Sequence, residues 1–456
     1  YTQYSFLPLL QNPASAGFFD ANMRFSGIYR NQWASVPVNY NSVGFSSYYQ
    51  RPPGYGFLFF IAHSISNSQA FLILKIIQIL LFGFSIYLFG KTLEALKIKD
   101  KIVLFATIAY GILPFFSTFT YFALTESILP FILISTLYFT LQFNEKQSIK
   151  SVFILGAWIG FALLIRPQVG FLILPALFFL IRNFNRLKLH LLLFLTLTVL
   201  PFLSWNIRNY TVNQEWVGIH PIYHYSNNHM YRPIHQNMSD LFRIWESNSA
   251  TFHSNMAILF RDTTAQSRNI VLQTIPKKID EKYAKELNTC FIHYQKASYA
   301  LRKNFKRSSY IKKNDLVAEV SAKKSITLLT TKIKTAFWFT NYVTTPILAL
   351  KEFVESSHLG LFIYQSTFRG NPIMEIFRWS AFLFLLGLLI FSLIATFISS
   401  LNKTIRVTLL AAFLYLFYLI YFQRMNEERY YYILLPLFFV GSLTLLNHFF
   451  NRKRSS

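Results

Sequence analysis

The chain is short of charge, of acid and of cysteine. Asp, Glu, Lys and Arg make up only 14% of its 456 residues, against about 25% in soluble domains. That is too little polar surface for a water-soluble fold of this length. The single Cys290 excludes an internal disulfide and most thiolate metal sites. Gly-rich phosphate loops, HExxH zinc helices, paired CxxC motifs and nucleophile elbows are all missing.

What the chain has instead is apolar mass. Hydrophobic residues reach 53% and aromatics 18%, with 50 Phe and 27 Tyr, and the mean hydropathy is +0.34. A bilayer core of ~30 Å needs roughly 20 apolar residues per helix. Apolar stretches run at about 70–90, 102–116, 121–143, 151–165, 167–181, 187–205, 376–399, 405–422 and 430–450. The fold class expected is therefore an all-α polytopic membrane protein with about nine transmembrane helices. It carries a short β-patterned N-terminal segment and a partly helical insertion.

Loop charge sets the orientation. The net charge of +25 lies largely in the segments 91–101, 144–150, 182–190, 400–406 and 451–456, which are all basic. Reading 151–181 as two short helices puts all five on one side, the cytoplasm. Residues 1–69, the insertion 206–375 and the turns at Pro114–Thr125, Arg166-Pro167 and Gln423–Arg429 then face outward. This predicts a bacterial inner-membrane protein with a periplasmic N-terminal segment and a cytoplasmic C-terminus. Four regions are expected: 1–49, 50–205, 206–375 and 376–456. Nucleic acid is not an expected partner, because the basic insertion faces away from the cytoplasm.

Within 24–49, aromatic and β-branched residues alternate with polar ones as two strands around a turn containing Pro37. Two strands cannot close a barrel. In 277–313, apolar residues at helical spacing are mixed with dense Lys and Arg. That fits a solvated helical face, and less readily a helix lying on anionic headgroups. The histidines His220, His224, His229 and His235 read as ordinary loop residues. Pro221 and Asn227-Asn228 break the helical spacing a ligand face would need. Neither a metal nor a cofactor is expected.

Arginines mark the outer ends of the apolar runs: Arg51, Arg166, Arg208 and Arg429. An Arg within an apolar stretch costs roughly 2.5–3.5 kcal/mol. Any one of them can snorkel to the interface; four on one face favour a shared anion, most simply a lipid phosphate or diphosphate.

The segments "RPPGYGFLFF", "YFALTESILPFILISTLYF", "LGAWIGFALLIRPQVGFLILP", "PFLSWNIRNYTVNQEW" and "NEERYYYILLPL" occur in this order. Over about residues 50–450 they resemble the GT-C membrane glycosyltransferases of the dolichyl-phosphate-mannose mannosyltransferase and aminoarabinose-transferase type. The resemblance implies transfer of a sugar from a polyprenyl-phosphate donor to a lipid, glycan or protein acceptor at the outer face. The expected partners are the polyprenyl-phosphate-linked sugar and membrane lipids. Glu126 and Glu428 are the implied catalytic carboxylates, and Arg51, Arg166, Arg208, Arg429 and Tyr430 the implied lipid-phosphate ligands.

The head of the chain resembles another family. Thr2-Gln3-Tyr4, Asn12-Pro13-Ala14, Ala16-Gly17 and Tyr29–Trp33 are similar to the mature N-terminus of PorP/SprF-type membrane proteins of the type IX secretion system, over about residues 1–47. The start at Tyr1 suggests a processed form or a fragment. Asp20 is the one carboxylate before Arg51, where a GT-C enzyme has its first helix and catalytic acidic loop. The enzyme is thus expected to be incomplete, its junction near Arg51 a product of misjoined sequence more than a natural fusion. Two alternative functions are a secretion-system component, partnering secretion-system proteins if the N-terminal segment is genuine, and a lipid-linked transporter or flippase.

Overall fold

The computed structural model describes residues 31–32, 40–41, 53–213, 233–307, 317–356, 371–424, 430–431 and 433–455. Strands β1 (Asn31–Gln32) and β2 (Tyr40–Asn41) pair antiparallel, with Asn31 opposite Asn41 and Gln32 opposite Tyr40. The rest of the expected hairpin, with its Pro37 turn, lies outside the described residues. Everything else described is helical or connecting turn.

Helices α1 (Gly54–Ile65), α2 (Ala70–Ala95), α3 (Asp100–Ile112), α4 (Leu129–Lys146), α5 (Ile149–Ile165), α6 (Ile173–Arg182) and α7 (Phe184–Asn213) come first. The insertion holds α8 (Pro233–Phe242), α9 (Ser249–Arg261), α10 (Ala265–Leu272), α11 (Lys277–Arg307), α12 (Val317–Ala336) and α13 (Thr345–Ser356). The chain closes with α14 (Pro372–Phe397), α15 (Lys403–Tyr418) and α16 (Leu435–Ser455). Described residues fall into two compact units. A bundle unit takes its residues from Met23–Gly218, Ser356–Tyr418 and Glu427–Ser456, and an insertion unit from Ile219–Glu355 and Leu419–Asn426.

Among the described residues, five helical stretches are long and apolar enough to cross a bilayer: Ala70–Ala95, Thr125–Lys146, Leu187–Thr211, Glu375–Phe397 and Lys403–Gln423. Shorter apolar helices run Gly54–Ile65, Ile149–Ile165, Pro167–Arg182 and Leu435–Asn451. The chain is a polytopic helical membrane protein. Two details differ from expectation. The stretch expected at 102–116 is the 13-residue α3, about 20 Å at 1.5 Å per residue. It stops because Leu113, which precedes Pro114, is extended (φ −65, ψ 125). Residues 54–65, where the sequence suggested no helix, form α1, which buries Phe59 and Ala62 against Ala70 and Leu74 of α2.

The 151–181 region is two helices, and the cause is local. Ser148 and Ser151 form a reciprocal capping box that starts α5. Arg166, preceding Pro167, is forced out of the helical region (φ −153, ψ 106) and ends it. α5 then packs closely on α7, because Gly156 and Gly160 leave no side chain between them. A Cβ on Gly160 would stand 2.4 Å from the Leu197 carbonyl oxygen, so small residues set this approach.

The insertion unit has its own core. Met238 and Phe242 of α8, Phe252 and Leu259 of α9, Leu287, Phe291 and Tyr294 of α11, and Ile326 of α12 are buried together. The apolar stripe of α11 therefore faces protein, and its Lys-rich side is exposed. That is the solvated-face arrangement; a helix laid on headgroups would have turned the stripe outward. Cys290 lies in the same stripe, fully buried, and burial pushes its thiol up to about 12.

Gly160→Ala is expected to lower the unfolding temperature of the detergent-solubilised chain, since overpacking costs about 1–3 kcal/mol. Gly83→Ala, where a Cβ meets nothing within 4 Å, should leave it unchanged or slightly raised. Equal effects at both sites would show that the α5–α7 approach is not set by Gly160.

Candidate functional site

The bundle unit buries one ion pair among its described residues. Arg166 Nη1 lies 2.7 Å from Glu126 Oε1, and the two residues are 8% and 5% exposed. Glu126 sits in the 3-10 turn Thr125–Ile128 that leads into α4. Arg166 sits at the break after α5. Thr125 closes the geometry: its hydroxyl accepts from Arg166 Nη1 at 3.1 Å and donates to Glu126 Oε2 at 2.9 Å. Arg166 Nε donates to Gln168 Oε1 at 2.6 Å. The remaining terminal nitrogen, Nη2, has no partner among the described residues.

Aromatic residues surround the pair. The Arg166 guanidinium stands 5.8 Å from the centre of the buried Tyr430 ring. Tyr415 of α15 lies in the field of Arg166, Tyr430 and Glu126, stacks on Phe171 at 4.9 Å, and its buried hydroxyl has no partner among the described residues. From the other side, the Tyr55 hydroxyl of α1 meets Ser127 and the field of Glu126. It also accepts from Gln78 Nε2 at 2.6 Å. Tyr55 gets there because its neighbour is glycine. A Cβ on Gly54 would stand 2.7–2.8 Å from Leu164 and Ile165 atoms, the residues just before Arg166.

A buried pair of this kind is held by its geometry. Each charge would lose several kcal/mol of hydration on entering the bundle, and only close, multiply hydrogen-bonded pairing offsets that. Arg166 brings no net positive charge, because Glu126 already neutralises it. Chemically, the cluster offers a carboxylate, a guanidinium whose Nη2 has no partner among the described residues, and tyrosine hydroxyls in a low-dielectric setting.

Of the residues expected at the site, the structure brings Glu126, Arg166 and Tyr430 together. Arg208 is exposed, and its guanidinium donates to Asn209 Oδ1 at 3.1 Å on its own helix. Arg51, Glu428 and Arg429 lie outside the described residues, as do His220, His224 and His229. His235 is buried in the insertion unit, its Nδ1 sharing a 2.6 Å hydrogen bond with the Tyr294 hydroxyl. Among the described residues no cluster could hold a metal ion. Sequence reasoning gave no role to Gln78, Gln168 or Tyr415. Gln78 could have been noticed as an uncharged polar residue inside "ILKIIQILLFGF".

Arg166→Leu should lower stability by about 3–5 kcal/mol, because it strands the buried Glu126. The double variant Glu126→Leu/Arg166→Leu should recover most of the loss. Thermal unfolding of the four proteins of the cycle measures this. Additive losses would mean that the pair is not energetically coupled.

Comparison with known proteins gives two family matches and two structural ones. The model of the dolichyl-phosphate-mannose-protein mannosyltransferases matches residues 50–205. That of the type IX secretion system membrane protein PorP/SprF matches residues 1–72. No curated protein matches the chain. Among solved structures, ArnT from Cupriavidus metallidurans bound to undecaprenyl phosphate is similar at 13% identity, over 88% of this chain and 69% of that one, with a TM-score of 0.30. Apo ArnT from the same organism is similar at 14% identity, with the same coverage and a TM-score of 0.32. The first family match ends well short of residue 450, and the second runs past Arg51 to residue 72. Over residues 50–205, which include Glu126 and Arg166, the chain resembles the dolichyl-phosphate-mannose-protein mannosyltransferases, and over residues 1–72 the PorP/SprF membrane proteins.

Proposed function

We propose that the chain is a membrane-embedded glycosyltransferase that takes a sugar from a polyprenyl-phosphate donor. The observation that carries this reading is the buried Glu126–Arg166 pair, with Arg166 Nη2 unpaired among the described residues and Tyr430 beside it. It lies inside the matched region. Undecaprenyl phosphate, the lipid bound in the ArnT structure, is a suitable donor carrier.

In the proposed reaction the acceptor hydroxyl attacks the anomeric carbon, the carbon–oxygen bond to phosphate breaks, and the polyprenyl phosphate leaves with the bonding pair. Glu126 takes the acceptor proton, and Arg166 stabilises the charge gathering on the leaving phosphate. The two tasks are linked. An anion arriving at Nη2 draws Arg166 away from Glu126, and a carboxylate less tightly paired is a better base. Glu428, Arg51 and Arg429 are proposed to complete the carboxylate and cation set. Arg208 is retained as a ligand for a headgroup at its end of α7.

The test uses the purified full chain in nanodiscs with a panel of polyprenyl-phosphate sugars. Arg166→Ala should weaken binding of polyprenyl phosphate by about tenfold or more, the scale of one lost charge-assisted contact. Arg182→Ala should not. Residual transfer should fall further in Glu126→Gln. Transfer abolished by Asp20→Asn and unchanged in Glu126→Gln would overturn the role of Glu126.

Orientation is part of the same proposal: insertion and N-terminal segment periplasmic, C-terminal tail cytoplasmic, in a bacterial inner membrane. Cys290 is too buried to report on it. Lys285→Cys, on the exposed side of α11, should react with a bilayer-impermeant maleimide once the outer membrane is permeabilised. Reaction only after inner-membrane lysis would reverse the topology.

A further inference from the structure

The insertion unit carries one helical run that is apolar on its outer side. Between Phe337 and Ser356, the buried positions among the described residues are Asn341, Thr345, Pro346, Ala349 and Phe353. Two of these five, Asn341 and Thr345, are polar, and Thr345 donates to the Ile244 carbonyl at 2.8 Å. The outward face holds Trp338, Phe339, Tyr342, Ile347, Leu348 and Leu350, each 44–60% exposed. Water-facing helices have the opposite polarity.

Backbone geometry keeps this face continuous. Thr340–Thr344 is a π-helical turn, which holds one residue more than an α-turn. The step from Tyr342 to Ile347 is five residues, and the extra residue brings Ile347 back to the side that Tyr342 occupies. Within a regular α-helix the stripe would have passed to Pro346, which is buried.

The run is also tied to the end of a membrane span. Lys403–Gln423 is long and apolar enough to cross the bilayer, and its last turn, Leu419–Gln423, is itself π-helical. From that turn the Tyr421 hydroxyl donates to the Tyr342 carbonyl at 2.9 Å. From the next residue but two, Arg424 Nη2 donates to the Asn341 carbonyl at 3.2 Å. The apolar face is thus fastened to the last turn of a stretch long and apolar enough to cross the bilayer and to the residue after it, and Phe422 adds 55% exposed aromatic surface there. Its composition fits the end of a span: Trp, Tyr and Phe are the residues of the membrane–water boundary. Exposed Lys332 and Lys351 stand at its two ends, where ammonium groups meet headgroup phosphates.

We propose that the face formed by Trp338, Phe339, Tyr342, Ile347, Leu348 and Leu350 is seated in the boundary between headgroups and acyl chains, giving the insertion unit a membrane foot of its own. The occupant is lipid. The basic helix α11, which the sequence offered for this role, has its apolar side turned into the core instead.

The experiment uses the full chain in phosphatidylethanolamine–phosphatidylglycerol nanodiscs, with Leu348→Cys and Lys285→Cys each labelled by an environment-sensitive nitrobenzoxadiazole dye. The native Cys290 is buried and stays unlabelled. Dye at 348 should emit at shorter wavelength, be quenched by lipids brominated on their acyl chains, and resist aqueous iodide several-fold better than dye at 285. Ile347→Cys repeats the measurement if Leu348→Cys does not fold. Water-like emission and equal iodide quenching at both positions would overturn the proposal. So would protection from iodide without quenching by brominated lipid, which would mean that a second copy or another protein covers the face. None of these outcomes depends on whether the chain transfers sugar.

Discussion

A charge pair in a medium that cannot solvate it constrains everything near the candidate site. Glu126 and Arg166 stand 2.7 Å apart and almost wholly buried, so neither can be left alone without a penalty of several kcal/mol. The neighbouring architecture keeps them together. Pro167 ends α5 at the position that frees Arg166 from the helix. Thr125 bonds to both partners, and Gln168 fixes the guanidinium by its Nε. Gly54 lets α1 come within contact of the two residues before Arg166. These contacts fix where the pair stands before any substrate is present.

The insertion unit solves a similar problem without a carboxylate. Arg424 is buried, with its backbone in the left-handed region at φ 54. Its guanidinium donates to the carbonyls of Ile420, Tyr421 and Asn341, oxygens that the two π-helical turns leave open. Its own carbonyl accepts from the Ser249 amide at 2.9 Å, at the start of α9. One cation therefore gathers the ends of three helical segments, and partial charges on carbonyls take the place of a counter-ion. Removing it would leave those oxygens unpaired at once.

Much of this fold was legible from hydropathy, because a bilayer demands long apolar runs and nothing else in the chain competes with that signal. The break at Arg166 was legible too, since Pro167 restricts the residue before it. Helix α1 was not: twelve residues are too few to register as a span, and its burial depends on α2 (Ala70–Ala95) lying alongside. At the site, the arginines could be listed but not paired. That Glu126 neutralises Arg166 while Arg208 stays on its own helix is a property of distances across helices. Gln78, Tyr415 and Arg424 were hidden for the same reason. In a chain with so few charges, a polar residue announces that it needs a partner but not which one.

Because the resting pair is neutral, the membrane voltage finds almost no net charge on it to act upon. An anion seated at Arg166 Nη2 would change that, adding net charge at a fixed depth. The transmembrane potential does about 2.3 kcal/mol of work per elementary charge per 100 mV, scaled by the fraction of the field crossed. On the orientation proposed above, Arg166 lies at the outer end of Ile149–Ile165, where an anion arriving from the periplasm would cross little of the field. The break at Arg166 would then do more than aim a side chain: it would keep the arrival of an anion nearly independent of how strongly the membrane is energised.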